Sequence, residues 1–302
     1  MAAPTVEAVS SATDADVDPA ARRRLPTAYL LLLPGALWLA LFFVVPFYSL
    51  VATSLYDPDG SVLGGYDMTW SVANYYHVLA DYWAPLVRSL IFGGIATALC
   101  LVIGYPLAYA IAFKAGTWKN LMLVLVIAPF FTSFLIRTLS WQLILSDNGV
   151  VAGALRTVGL LGDDGRLLAT SFAVVMGLTY NFLPFMVLPL YASLEKVDHR
   201  LIEAAGDLYA SPARGFAAVT LPLSLPGVVA GTLLTFIPAA GDYINAQLLG
   251  SPNDRMVGNV IQSLFTDASL YPAAGALSMV LMLLIVAMVL IYVRRSGTED
   301  LV

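Results

Sequence analysis

The chain has 302 residues, 59% of them hydrophobic and 12% charged, with a mean hydropathy of +0.82. Soluble domains carry about 25% charged residues, so this composition excludes a soluble globular protein and describes an integral membrane protein; the formal charge of −5 names no partner, because loop charges and span charges do different jobs. The single cysteine, Cys100, lies inside an apolar segment and excludes both an intrachain disulfide and a cysteine metal site.

Residues 1–27 are rich in Ala, Ser and Asp, include Arg22-Arg23-Arg24, and read as a disordered cytoplasmic tail rather than a signal peptide. Residues 28–302 read as one transmembrane domain. A first span is expected over Ala28 to about Val51, interrupted by Pro34-Gly35 and Pro46. A loop with Tyr and Trp follows, and its aromatics suit a membrane interface. The second span is expected over Leu86–Phe113, where Ser89, Gly93, Gly94 and Gly104 mark faces of close helix approach. After a short basic turn, the third span is expected as one helix over Asn120–Leu145. It carries Arg137, the only Lys or Arg deep in an apolar run, which is expected to pair with an acid or cap carbonyls. Residues 146–167 read as a loop, and the fourth span as Leu168–Ala192.

Residues 193–226 interrupt the apolar pattern. Leu194, Val197, Leu201, Ala205 and Leu208 recur near a 3.6-residue period, with Glu195, Asp198, Glu203 and Asp207 on other faces. An amphipathic helix, a turn and a short second helix are expected there, with Ser211 capping the second and Pro212 at its first position. The fifth span follows from Gly227 to about Asn245, with Gly227 and Gly231 as a small-xxx-small pair. Residues 246–271 read as an outer loop and Pro272–Val293 as the sixth span.

Ten of the fifteen Lys and Arg residues fall on the side of the N-terminus and four on the other, so both termini are expected inside. The spans hold no phosphate-binding loop, no zinc-protease motif and no nucleophile elbow. An intramembrane aspartyl protease would need two carboxylates at membrane depth; Asp242 stands alone in its reading.

Glu203-Ala204-Ala205, with Phe216, Val219, Leu221-Pro222 and Pro226-Gly227, resembles the EAA loop of binding-protein-dependent ABC importer permeases. Ile103-Gly104-Tyr105-Pro106, Ile136-Arg137-Thr138, Trp141 and Phe236 to Tyr243 are similar to segments of spermidine/putrescine permeases. The resemblance implies a permease subunit, with no ATPase site of its own, in a prokaryotic inner membrane. It implies partners: a second permease of similar fold, two ATP-binding subunits that hold ATP and Mg, and an extracytoplasmic binding protein, with no nucleic acid. It also implies that Glu203, Ala204, Ala205, Asp207, Leu208, Tyr209, Ala210, Ser211 and Phe216 couple to the ATPase. In that family a glycine stands four residues after the second Ala; here the position is Tyr209, where a positive-φ turn is costly. Polyamines carry ammonium groups, which carboxylates, carbonyls and aromatic faces attract. Asp242, Tyr243, Trp141, Tyr180 and Asn181 are therefore candidate pathway residues. Importers of an oxyanion or ferric iron share the EAA loop, and a channel or secondary transporter would have no use for one.

Overall fold

The computed structural model describes residues 24–60, 64–162, 164–267 and 270–295. The expected tail lies outside the described residues up to position 23, and the helix that follows it already begins at Arg24. Every regular element among the described residues is a helix. Two units are distinct, Met1–Val51 and Ala52–Val302.

The first unit holds α1 (Arg24–Leu39), a π-helical turn (Ala40–Val44) and most of α2 (Val45–Ser54). Pro46 has no N–H for a regular bond, and its ring crowds the carbonyl four residues back; the widened turn sits just ahead of it. Trp38 lies against Phe42, with ring centroids 4.3 Å apart.

The second unit is built on three long helices. They are α3 (Ala73–Phe113), α7 (Ser171–Leu194) and α10 (Leu221–Ala240). Lipid is as apolar as leucine, so burial alone does not hold such helices together; close packing of small residues does. The expected pair Gly227 and Gly231 is where α10 meets α7. A methyl group on Gly227 would lie 2.5 Å from Ser193 Cβ and 2.7 Å from the Pro189 carbonyl oxygen, and one on Gly231 would lie 2.8 Å from Met186 Sδ. On α3, Gly93 approaches Ala240 and Gly104 approaches Met186 and Val187, whereas Gly94 meets nothing, contrary to its expected role. Cys100 is buried as expected, and its thiol donates to the Thr179 carbonyl.

Several expected boundaries shift. α3 begins thirteen residues before the expected second span and bends at Tyr82, just ahead of Pro85. The third span is not one helix. α4 (Lys119–Ile127) passes through a 3-10 turn (Ala128–Phe131) to extended Thr132 and Ser133, and α5 (Phe134–Leu145) leaves at 94°. Pro129 tightens the turn, and the Thr132 hydroxyl donates to the Pro129 carbonyl, so the break satisfies itself locally. The expected loop at 146–167 contains α6 (Val150–Thr157). The fifth apolar helix begins earlier than expected, running without interruption from Pro212 through a π-helical turn (Phe216–Thr220), and ends at Ala240 rather than Asn245. The expected outer loop folds into α11 (Ile244–Leu249), a 3-10 turn (Pro252–Asp254) and α12 (Val257–Thr266) before α13 (Tyr271–Arg295). Among the described residues, five helices are long and apolar enough to cross a membrane, or six if the bent pair counts as one span.

Candidate functional site

Two regions hold the residues singled out above. The first is the connection between α7 and α10. Asp198 accepts a hydrogen bond from the Arg200 backbone N–H at 2.9 Å and caps α8 (His199–Asp207). Ser211 in turn caps α9 (Pro212–Gly215), with Pro212 at its first position. The amphipathic helix and the turn read from the sequence are therefore present, whereas the expected short second helix is the first turn of the long helix that runs on from Pro212 to Ala240. α8 ends in a paired closure: Tyr209 N–H donates to Gly206 O at 2.9 Å and Ala210 N–H to Ala205 O at 3.0 Å. This is the Schellman arrangement, which places the residue after the C-cap in the left-handed region. That residue is Tyr209, at φ 60°.

The apolar stripe expected along this connection is only partly buried. Leu194 and Val197 are buried, while Leu201, Glu203, Ala204 and Asp207 are exposed, Leu208 is 82% exposed and Tyr209 97% exposed. Ala205 and Ala210 are half-buried. Phe216 points inward instead: its ring stands edge-on to Tyr105 at 5.6 Å and to Tyr109 at 6.0 Å. Tyr109 packs on Phe113, and Phe113 meets His199 at 5.1 Å, so an aromatic chain ties α8 to α3. Lys119 binds Glu195 at 2.5 Å, which joins the α3–α4 turn to the end of α7; that hydrogen bond holds the Glu195 carboxyl below its usual range.

The second region surrounds Asp242. Gly241 ends α10, and the backbone there is pressed by α12: a methyl group on Gly258 would lie 2.6 Å from Gly241 O. Asp242 is 8% exposed. Its Oδ1 accepts from Asn245 N–H at 2.8 Å and from Asn245 Nδ2 at 3.2 Å. Asn245 Oδ1 accepts from Asn181 Nδ2 at 3.0 Å and from the Thr138 hydroxyl at 3.4 Å, and Thr138 also accepts from Asn181 at 3.2 Å. Four side chains from the α10–α11 turn, α11, α7 and α5 thus form one buried polar network. No hydrogen bond among the described residues reaches Asp242 Oδ2. Trp141 and Tyr180, close in sequence to Thr138 and Asn181, meet edge-on at 5.4 Å, and Tyr243 is partly exposed, its carbonyl held by Asn259.

The expected set therefore splits. Asp242 and Asn181 come together through Asn245, and Trp141 pairs with Tyr180. Thr138 and Asn245 were missed, although a lone Asn in an apolar run was a usable signal. Arg137 contradicts its expected pairing: it binds no acid and caps no carbonyl among the described residues.

At the end of the molecule that holds the α6–α7 loop, Asp254 accepts from the Ser171 and Ser251 hydroxyls and from Ser251 N–H. Burial pushes its carboxyl up, but those bonds and nearby Arg88 outweigh it and hold the group below its usual range.

A profile of the family described as "Binding-protein-dependent transport system inner membrane component" matches residues 101–296. The chain is 39% identical over 260 residues to the spermidine/putrescine transport system permease protein PotB of Haemophilus influenzae, covering 86% of this chain and 90% of that one. The same named protein of Escherichia coli is 37% identical, over 86% of this chain and 94% of its own. Among solved structures, a bacterial ABC transporter involved in the import of the acidic polysaccharide alginate aligns with a TM-score of 0.66 at 18% identity, covering 92% and 97% of the two chains, which is a likeness of fold. The chain belongs to the inner membrane components of binding-protein-dependent transport systems and is a permease subunit of an ABC importer.

Proposed function

We propose that this subunit forms half of a pathway for polyamines. The observation that carries the reading is the 37–39% identity to spermidine/putrescine permeases over most of both chains. The geometry supports it at Asp242, a carboxylate at membrane depth with one oxygen engaged by Asn245 and the other without a hydrogen bond. Ionisable groups at that depth are expensive and default to function. On this reading the chain crosses the membrane six times with both termini inside, the bent α4–α5 pair being one crossing. The connection at 193–226 faces the cytoplasm, and its exposed Glu203, Leu208 and Tyr209 dock on an ATP-binding subunit, where ATP and Mg are held. Phe216 and its aromatic neighbours carry the movement of α8 into α3. A second permease completes the pathway, and an extracytoplasmic binding protein delivers the substrate.

One reconstitution tests both regions. In the full complex, Glu203→Lys is expected to abolish the stimulation of ATP hydrolysis by loaded binding protein while the subunit remains in the membrane. Asp242→Asn is expected to lower polyamine uptake by about tenfold or more, as loss of a charge-assisted contact does, with basal hydrolysis intact. Unchanged stimulation sinks the docking role, and wild-type uptake in Asp242→Asn sinks the cation contact.

An anionic substrate is a second reading, and Arg137 is what favours it: an unpaired guanidinium at mid-membrane suits an oxyanion.

A further inference from the structure

Arg137 occupies the first turn of α5, just past the break at Thr132–Ser133. The residue is 7% exposed, and its Nε and Nη1 are buried without a hydrogen-bond partner. The guanidinium lies over the rings of both Phe130 and Phe134, each centroid 5.6 Å away. Two aromatic faces attract a cation but accept none of its N–H groups in the plane of the fork. Among the described residues no carboxylate lies within ion-pair distance of the guanidinium: the two ion pairs there are Lys119–Glu195 and Arg166–Asp147. A buried charge left unpaired is strongly disfavoured, so the fork needs an acceptor from outside this chain.

Depth narrows the source. The neighbouring Thr138 bonds Asn181, which stands near the middle of the 24-residue helix α7. Lipid phosphates lie about 15 Å from the bilayer centre, beyond the hydrocarbon core, and do not reach that level. A polyamine is repelled by the charge. Two acceptors can reach it there: an oxyanion substrate, as in the second reading above, or a carboxylate carried into the membrane by another polypeptide, and the rigid aromatic seat of the guanidinium favours a fixed protein partner. The surface beside Arg137 fits such a neighbour. Pro129, beside Phe130, lines an open apolar groove of about 340 Å³ with Leu107, Met122, Leu125, Tyr180 and Pro184.

We infer that Arg137 is one half of an intersubunit ion pair, whose other half is an Asp or Glu in a membrane segment of the second permease packed against the α4–α5 bend. The pair would fix the register of the two permeases at mid-membrane. It would also cancel a positive charge that otherwise opposes passage of a polycation. This inference rests on the two-permease reading above.

The test uses the whole complex, purified through a tag on this subunit. Recovery of the second permease with the wild-type chain checks the two-permease reading on its own; if none is recovered, that reading and this inference both fall. Given recovery, Arg137→Met keeps the stem packed on Phe130 and Phe134 but strands the facing carboxylate. It is expected to lower recovery of the second permease by about tenfold or more, since breaking a buried pair is costly. Each membrane-embedded Asp and Glu of that permease is then changed to Asn or Gln in the Arg137→Met background. One of them is expected to restore recovery, because removing both halves leaves no charge stranded. Wild-type recovery with Arg137→Met overturns the inference, as does the absence of any rescuing position. Normal assembly of Arg137→Met with loss of sulfate uptake also overturns it and makes Arg137 a substrate contact.

Discussion

Tyr209 shows how a single residue can carry a local cost. The Schellman closure of α8 needs a positive φ, and glycine supplies it without a Cβ penalty. Here a tyrosine holds φ 60° while its side chain is 97% exposed, so nothing within the chain compensates. The left-handed region costs an L-residue about 1–2 kcal/mol, partly offset by the greater unfolded-state freedom of glycine. Tyr209→Gly is therefore expected to stabilise the end of α8 by about 0.5–1 kcal/mol. Amide hydrogen exchange reads this directly: the Ala210 N–H, bonded to Ala205 O, should exchange more slowly in the variant. Faster exchange would mean that the tyrosine ring stabilises the turn. The offset of the closure from Glu203 was legible, because the expected glycine position and the observed positive φ coincide. The inward turn of Phe216 was not, since it depends on Tyr105 and Tyr109, more than a hundred residues earlier.

Among the elements, α7 and α13 follow their expected spans closely, because each is a long apolar run without a competing local structure. The break between α4 and α5 was hidden for a physical reason. Phe130 to Phe134 is apolar enough to continue a span, and hydropathy does not register that Thr132 and Ser133 can satisfy the backbone without a helix. α11 and α12 were hidden for the opposite reason. Gly250, Ser251, Pro252, Asn253 and Asp254 read as loop, and the helices on either side are short. The helix contacts themselves were partly legible in the glycines, and the structure sorts them. Gly227→Ala drives a methyl into Ser193 and the Pro189 carbonyl, where backbone must move, whereas Gly94→Ala enters open space. Overpacking costs about 1–3 kcal/mol, so Gly227→Ala should lower the thermal unfolding midpoint of the detergent-purified complex and Gly94→Ala should not. Equal midpoints would show that α10 and α7 separate at Gly227 without penalty.

The second unit, Ala52–Val302, joins two specialised ends through one packed triple of helices. α8 and its turn offer an exposed surface at the end marked by Lys119 and Glu195; Asp254, Ser171 and α12 build the opposite end. Between them, α3, α7 and α10 meet at Gly104, Gly227 and Gly231, while the α4–α5 bend and the α10–α11 turn bring Thr138, Asn181, Asn245 and Asp242 together, with Arg137 next to Thr138 in the chain. The membrane class and the importer architecture were legible from composition and from the Glu203 segment. The polar centre was only half legible, because Thr138 and Asn245 are 107 residues apart and no local pattern joins them. Substrate choice is the claim on which the rest turns. It is tested most directly by uptake into proteoliposomes containing this subunit, its second permease and the ATP-binding subunits, with binding protein outside and ATP inside. Labelled spermidine and labelled sulfate are offered in parallel. The account predicts ATP-dependent accumulation of spermidine and none of sulfate; accumulation of sulfate with no uptake of spermidine would contradict it.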